Sequence, residues 1–400
     1  MKCNLFIFVL LTVIHVSFAQ NISILGKITD TLSNQPLPYA TIKIGNNFFA
    51  ANNMGNFSIN IDQTIIKKYG INFIYTGYKE LHVKELSDDE FHQIKLLSLA
   101  HQLSDVEISS GAKAIVEKAI RNIPLNYPYY PFNTTIFERI YQTVNDTAYF
   151  RKNDALLKTY APSYENYKKP IQVSVLQNRD SIKGRDSRLL YRWINGYRAA
   201  DIVDIVHSRK TFADSNYIQQ YEFSVVNKMK YENTEVYNIR FSPKNGKRGS
   251  EGNMFIDVNS YAIVKLTATF NAAACRRYAR QKELKDYYNT HQVSYTKINN
   301  KWFLKNSNSE IHLIRRKYNN FGAIEYRSSL VDLVTLSVDT VNVAPLPANE
   351  IIENNVRDAD VKRYVPQENW QSIDSLITTP KYSKYITNIP APAGTQLITK

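Results

Sequence analysis

The chain has 400 residues, a formal net charge of +14, 12% aromatic residues and only 13 glycines. A chain of this length can bury a full core without disulfides, and many tyrosines with few glycines are typical of ordered β-sheet. The composition excludes a collagen, a coiled coil, a disulfide scaffold and a disordered chain. At roughly 150 residues per domain, we expect two or three domains.

The N-terminus is typical of a secretory signal peptide. Lys2 precedes an apolar stretch over 5–16, and the small residues Ser17 and Ala19 stand where signal peptidase requires them. We therefore predict a signal peptide over 1–19, cleaved near Ala19, and a mature chain exported to the periplasm or outer membrane without a transmembrane segment. Cys275 would then be its only cysteine, which excludes an intramolecular disulfide and a cysteine zinc site.

Short alternating apolar runs, separated by turn residues, fill residues 22–98. This spacing predicts a seven-stranded antiparallel β-sandwich over 20–100. Four motifs within it are Ile24-x-Gly26-Lys-Ile28-x-Asp30, Pro36-Leu-Pro-Tyr-Ala40-Thr-Ile42, Gly55-Asn-Phe57-Ser-Ile59 and Tyr75-x-Gly77-Tyr78. Together they resemble the carboxypeptidase-regulatory-like domain, a transthyretin-like sandwich common at the N-terminus of exported bacterial envelope proteins. The resemblance implies a non-catalytic accessory module.

Residues 101–131 read as a junction between two domains. Apolar residues at helical spacing between 112 and 123 predict an amphipathic helix that Pro124 ends, followed by an extended linker of tyrosines and prolines up to 131. The same combination occurs downstream of the module in the family just named.

Strand patterns return between 132 and 343 and predict a larger antiparallel β-meander or curled-sheet domain with a few helices. The turn Asn299-Asn300 predicts a hairpin, and residues 271–289 read as a helix or a long excursion. Between about 196 and 208 we predict a short amphipathic helix with Asp201 and Asp204 on its solvent side. Residues 344–400 read as a proline-containing C-terminal tail. The order of motifs is similar to the second domain of those exported proteins and, more distantly, to the curled sheets of lipoprotein carriers.

The positive charge is confined to one part of the chain. Residues 20–100 hold seven basic and seven acidic residues, whereas 151–345 hold 32 basic and 18 acidic ones. Basic clusters bind polyanions or simply form a solvated surface. We predict an anionic-surface patch, with Arg276 and Arg280 on one side of a helix and Arg315 and Lys317 on one face of a strand. Its candidate residues are Arg276, Arg277, Arg280, Arg315 and Lys317.

No motif in the sequence names a reaction. Neither a zinc-peptidase HExxH nor a GxSxG nucleophile elbow occurs, and Gly246, Gly249 and Gly252 match no phosphate-binding loop. We therefore predict no catalytic residue, no cofactor and no metal.

The leading hypothesis is a non-enzymatic envelope protein that acts in binding or assembly. Its expected partners are envelope proteins or an anionic lipid or lipopolysaccharide surface rather than nucleic acid. One alternative is a carrier that holds a lipid or acyl chain in a curled-sheet cup. The other is a hydrolase whose site is scattered along the chain.

Overall fold

The fold is described from a computed structural model. It covers residues 21–352 except for 38–39, 46, 52–53, 76–77, 89, 99–108, 145–147, 183–203, 209–217, 232–233, 282–285, 317–323 and 342. The predicted signal peptide and nearly all of the predicted tail fall outside these residues. Within the described parts of the chain, no helix is long and apolar enough to cross a membrane.

Seven strands form the N-terminal part of the fold. They are β1 (Asn21–Asp30), β2 (Thr41–Ile44), β3 (Asn47–Ala50), β4 (Asn56–Asp62), β5 (Ile71–Ile74), β6 (Leu81–Val83) and β7 (Phe91–Leu96). One sheet has the order β4-β1-β7 and the other β3-β2-β5-β6. The predicted seven-stranded arrangement is confirmed, except that β1 and β7 pair in parallel.

The core of these seven strands is built from their alternating apolar residues. Ile24, Ile28, Ile42 and Phe73 are fully buried in one cluster. Gly26 has no room for a side chain, since an added Cβ would lie 2.4 Å from the carbonyl oxygen of His92 on β7. A short helix that the sequence analysis missed, α1 (Gln63–Tyr69), completes this part of the chain.

Two helices lie in the junction, α2 (Ser109–Arg121) and α3 (Ile123–Asn126). The predicted helix is present, but Pro124 does not end the helical structure. It lies in the first turn of α3, where the missing N–H of proline has no helical partner to lose. The domain boundaries at 100 and 131 stay a prediction.

A single ten-stranded sheet forms the rest of the fold. Its strands are β8 (Phe132–Val144), β9 (Ala148–Ala161), β10 (Gln172–Ile182), β11 (Tyr221–Tyr231), β12 (Thr234–Pro243), β13 (Ser250–Asp257), β14 (Ile263–Phe270), β15 (Asp286–Ile298), β16 (Lys301–Arg316) and β17 (Ile324–Asp339). The order is β10-β9-β8-β17-β16-β15-β14-β13-β12-β11, and every neighbouring pair is antiparallel. The prediction of a mainly β protein with a second, larger antiparallel sheet is confirmed.

The large sheet has two faces and two ends. Its core face carries buried apolar residues such as Ile136, Leu157 and Val331 and packs against α2, whereas the opposite, polar face carries Arg139 and Asp332. At the hairpin end, β15 turns into β16 through Asn299 and Asn300 as predicted, with both residues at positive φ. Helix α5 (Ala272–Gln281) connects β14 to β15 at the opposite end of the strands, which we call the α5 end.

Strands β10 and β11 are consecutive in sequence but lie at opposite edges of the sheet. Their connection therefore has to cross the sheet. Its described pieces are Asp204, the single turn α4 (Ile205–Ser208) and the 3₁₀ turn Ile218–Gln220. Val206 and Ile218 are buried in the same cluster as α2, which places the crossover on the core face.

Candidate anionic-surface site

Asn271, the residue before α5, caps the start of the helix. The side-chain Oδ1 of Asn271 accepts a hydrogen bond from the backbone N–H of Ala274 at 2.9 Å. Its Nδ2 donates to the carbonyl oxygen of Lys247 at 2.7 Å, which ties the helix start to the loop after β12. Asparagine is among the favoured N-cap residues because its side chain satisfies an N–H that has no helical partner.

One side of α5 is packed against the sheet. Ala279 is buried in a small cluster with Tyr287 of β15 and Leu313 of β16, and Cys275 and Tyr278 pack against it. The rings of Tyr278 and Tyr287 are 4.1 Å apart between centroids. The one cysteine among the described residues is therefore part of this packing, as expected for a small apolar residue.

The other side of α5 is basic. Arg276, Arg277 and Arg280 are all exposed, and the helix contains no acidic residue. The structure thus brings three of the five predicted patch residues together on one helix. Arg315 lies in β16 two residues beyond Leu313, in register with Glu325 of β17. Lys317 falls outside the described residues, so its place in the patch stays a prediction.

A buried carboxylate cluster was not predicted. Asp204, expected on the solvent side of a helix, is buried and accepts hydrogen bonds from the hydroxyl groups of Tyr164 and, at 3.0 Å, Tyr295. It also accepts the backbone N–H of His207 at 3.1 Å. The expectation of a solvated Asp204 was wrong because both tyrosines are distant in sequence and replace water as its partners.

Burial controls the chemistry of this cluster. It raises the pKa of both tyrosine hydroxyls well above the usual value, and the negative charge of Asp204 raises each pKa further. Both hydroxyls therefore keep their protons at neutral pH and can donate to the carboxylate. The ring nitrogens of the buried His207 have no hydrogen-bond partner among the described residues.

A small cavity adjoins Asp204 and Tyr164. Phe132, Ile136 and Leu304 are among the other residues that line it. Its volume is about 20 Å³, which is enough for one water molecule. Sites for lipid-sized ligands typically measure about 300 Å³ or more. This cavity therefore does not support the carrier hypothesis.

The polar face of the large sheet carries a continuous row of polar residues. Directly opposed positions on eight neighbouring strands hold Asp154, Arg139, Asp332, Asn308, Gln292, Thr267, Asn253 and Arg240. Arg139 and Asp154 form a buried ion pair, with Nε 2.6 Å from Oδ1, and Asn308 donates to Asp332 at 2.5 Å. Opposed residues in neighbouring strands stabilise a sheet when their side chains pair in this way.

A pair formed by Glu310 and His312 lies on the same face as Asn308. His312 Nε2 lies 2.8 Å from Glu310 Oε1, and its Nδ1 is hydrogen-bonded to the hydroxyl group of Tyr326. Burial raises the pKa of nearby Asp332 to about 7, and the negative charge of Glu310 adds to that effect. Asp332 is held by Asn308 and does not line the cavity beside Asp204, so we assign this cluster to the cohesion of the sheet.

Comparisons with known proteins give distant structural likenesses. No family model matches the chain, and no curated protein matches it. A DUF1329 family protein from Desulfovibrio piger is 10% identical with a TM-score of 0.27, over 58% of this chain and 95% of that one. Lipovitellin is 11% identical with a TM-score of 0.23, over 55% of this chain and 26% of its own.

A third solved structure, a Bacteroides fragilis protein of unknown function provisionally described as membrane-associated, is 9% identical with a TM-score of 0.16. It matches over 80% of this chain and 99% of that one. At these TM-scores, none of the likenesses assigns a family or a function to this chain.

Proposed function

We propose that the protein is an exported, non-enzymatic protein of the cell envelope that binds an anionic partner through α5. The partner chemistry is that of lipid or lipopolysaccharide headgroups, which carry phosphate groups. The signal-like N-terminus and the resemblance to the carboxypeptidase-regulatory-like domain support export. The basic side of α5 supports the binding.

The single observation that carries this proposal is the division of α5 into two sides. Its packed side is fixed by Ala279 and Tyr278, so the helix cannot rotate its arginines into the protein. Arg276 and Arg280 are one helical turn apart and both exposed, and no acidic residue of the helix neutralises them. Guanidinium groups bind phosphate through paired N–H donors, which makes such a side a suitable anion-binding surface.

The test is the salt-sensitive part of binding to vesicles that contain an anionic phospholipid. We expect the protein to bind the vesicles at low salt. The contribution of α5 to this binding should decrease near 0.15 M salt, where the Debye length is about 8 Å. The double variant R276E/R280E should lose most of this salt-sensitive binding. The matched control is K67E/K68E, which reverses two exposed lysines on α1 and changes the net charge equally.

The two variants decide between a specific and a general effect. Loss in R276E/R280E with near-normal binding of K67E/K68E supports the proposal. Equal loss in both variants would mean that only the net charge matters. Unchanged binding of R276E/R280E would show that α5 does not contribute to vesicle binding.

A further inference from the structure

The hairpin end of the large sheet carries a second surface of different chemistry. Four exposed apolar or tyrosine side chains lie there, on three chain segments: Leu125 in α3 and Tyr129 just after it, Tyr167, and Val341, with 69%, 62%, 41% and 66% of their surface exposed. We call these four residues the rim. Exposed apolar side chains gathered at one end of a molecule indicate an interaction site.

The rim residues lie beside the ends of neighbouring strands. Tyr167 lies in the loop between β9 and β10, Tyr129 precedes β8, and Val341 follows β17, while β16 begins at Lys301 next to Leu125. These strands are consecutive in the sheet. Because adjacent strands lie about 4.8 Å apart, the rim extends over roughly 20 Å.

Hydrogen bonds hold the rim loops in place. Lys301 Nζ donates to the carbonyl oxygen of Leu125 at 2.7 Å and lies 5.0 Å from the ring centroid of Tyr129. The backbone N–H of Tyr164 donates to the carbonyl oxygen of Pro128 at 2.9 Å, which joins the loop of Tyr167 to the segment of Tyr129. The rim side chains are therefore presented by an ordered scaffold.

The charges around the rim are mostly positive. The exposed lysines Lys168 and Lys169 follow Tyr167, and Lys297 and Lys301 flank the β15–β16 turn. The exposed acidic residues at this end include Glu165, Asp339 and Glu350. Tyrosines and aliphatic side chains edged by lysines match the boundary between the headgroups and the acyl chains of a bilayer, because the rings and aliphatic groups enter the apolar layer while the ammonium groups stay with the phosphates.

We propose that the rim docks on a phospholipid bilayer by inserting Leu125 and Tyr129. The side chains stand on three separate chain segments, which suits a fluid lipid surface that adapts to each side chain. This contact differs from that of α5, because it depends on apolar insertion as well as charge and is made at the opposite end of the strands.

The test is binding of the mature full-length protein to phosphatidylcholine vesicles with and without phosphatidylglycerol, in about 0.5 M NaCl, where charge contacts are screened beyond about 4 Å. We expect binding to persist at this salt concentration and to fall by about tenfold in L125S/Y129S, as loss of partial burial of these side chains implies. The matched control is L32S/F91S, which removes an exposed leucine and an exposed aromatic residue from the seven-stranded part.

A second measurement keeps the test independent of the folding of the double variant. In Y129W, the new tryptophan should shift its emission to shorter wavelength on vesicle addition, and brominated lipids should quench it. Wild-type binding by L125S/Y129S, or no shift in Y129W, would overturn the proposal. So would a wild-type dimer that L125S/Y129S abolishes, because a second copy would then occupy the rim. R276E/R280E should retain the high-salt binding, which separates failure of the α5 proposal from failure of this one.

Discussion

Asp332 shows how one buried residue couples the sheet to pH. Its carboxyl lies between Arg139 of β8 and Asn308 of β16 on the polar face, and burial raises its pKa from 3.8 to about 7. The folded protein therefore holds a proton on Asp332 over a range in which the unfolded chain has lost it. Between about pH 4 and 7 the folded state binds more protons, so its stability falls as the pH rises.

The substitution D332N should remove this dependence. Wild-type stability is expected to decline by up to about 1.4 kcal/mol for each pH unit between 4 and 7 from this group, and D332N should flatten that decline. Urea unfolding followed by tryptophan fluorescence at several pH values measures it. E222Q, at an exposed position on β11, is the control. An identical pH profile for D332N and the wild type would show that Asp332 does not titrate in this window.

The sequence was least informative about the surroundings of individual residues. Asp204 accepts hydrogen bonds from two tyrosine hydroxyl groups that are 40 and 91 residues away in the chain. Periodicity compares residues only within one turn or one strand, so it placed this carboxylate in solvent. Gly26 could be recognised as a position of close approach, because a glycine inside a strand pattern indicates it.

At the scale of helices and strands, local sequence patterns were sufficient to predict those elements whose conformation depends on neighbouring residues. The β15–β16 hairpin follows from Asn299 and Asn300, which tolerate positive φ. The segment 271–289, predicted as a helix or a long excursion, contains α5 after a capping asparagine, but residues 286–289 belong to β15. The parallel pair β1–β7 could not be predicted, because strand alternation is the same in parallel and antiparallel pairs. The division of α5 into a packed and a basic side also required the structure, since the packing partners Tyr287 and Leu313 come from other strands.

In the described part of the crossover from β10 to β11, Asp204 accepts hydrogen bonds from Tyr164 and Tyr295, which joins the crossover to the core face. In D204A the buried hydroxyls of Tyr164 and Tyr295 would lose their acceptor, and each unsatisfied buried group costs about 1–3 kcal/mol. We expect D204A to lower the free energy of unfolding by roughly that range per hydroxyl, and Y295F to have a smaller effect. Chemical denaturation measures both, with Y167F at an exposed tyrosine as the control. A D204A stability within error of wild type would show that the crossover does not depend on this carboxylate.

At the scale of the whole molecule, the two proposed surfaces lie at opposite ends of the large sheet. The α5 arginines lie at one end of the large sheet, and the rim lies at the end where β15 turns into β16. Strand β15 has 13 residues and joins these ends, so they are about 40 Å apart. A flat membrane cannot contact both ends of an upright sheet, so one molecule is able to engage two surfaces.

This geometry predicts that the protein cross-links anionic vesicles at low salt. Turbidity should rise when wild-type protein is added and fall again near 0.15 M NaCl, because the α5 contact is screened while the rim stays inserted. R276E/R280E and L125S/Y129S should each remain monovalent and leave the turbidity low, whereas K67E/K68E and L32S/F91S should behave as wild type. Sedimentation of the bound fraction distinguishes lost binding from lost cross-linking. Clustering that persists in L125S/Y129S would contradict a two-ended molecule, because a single surface would then be sufficient.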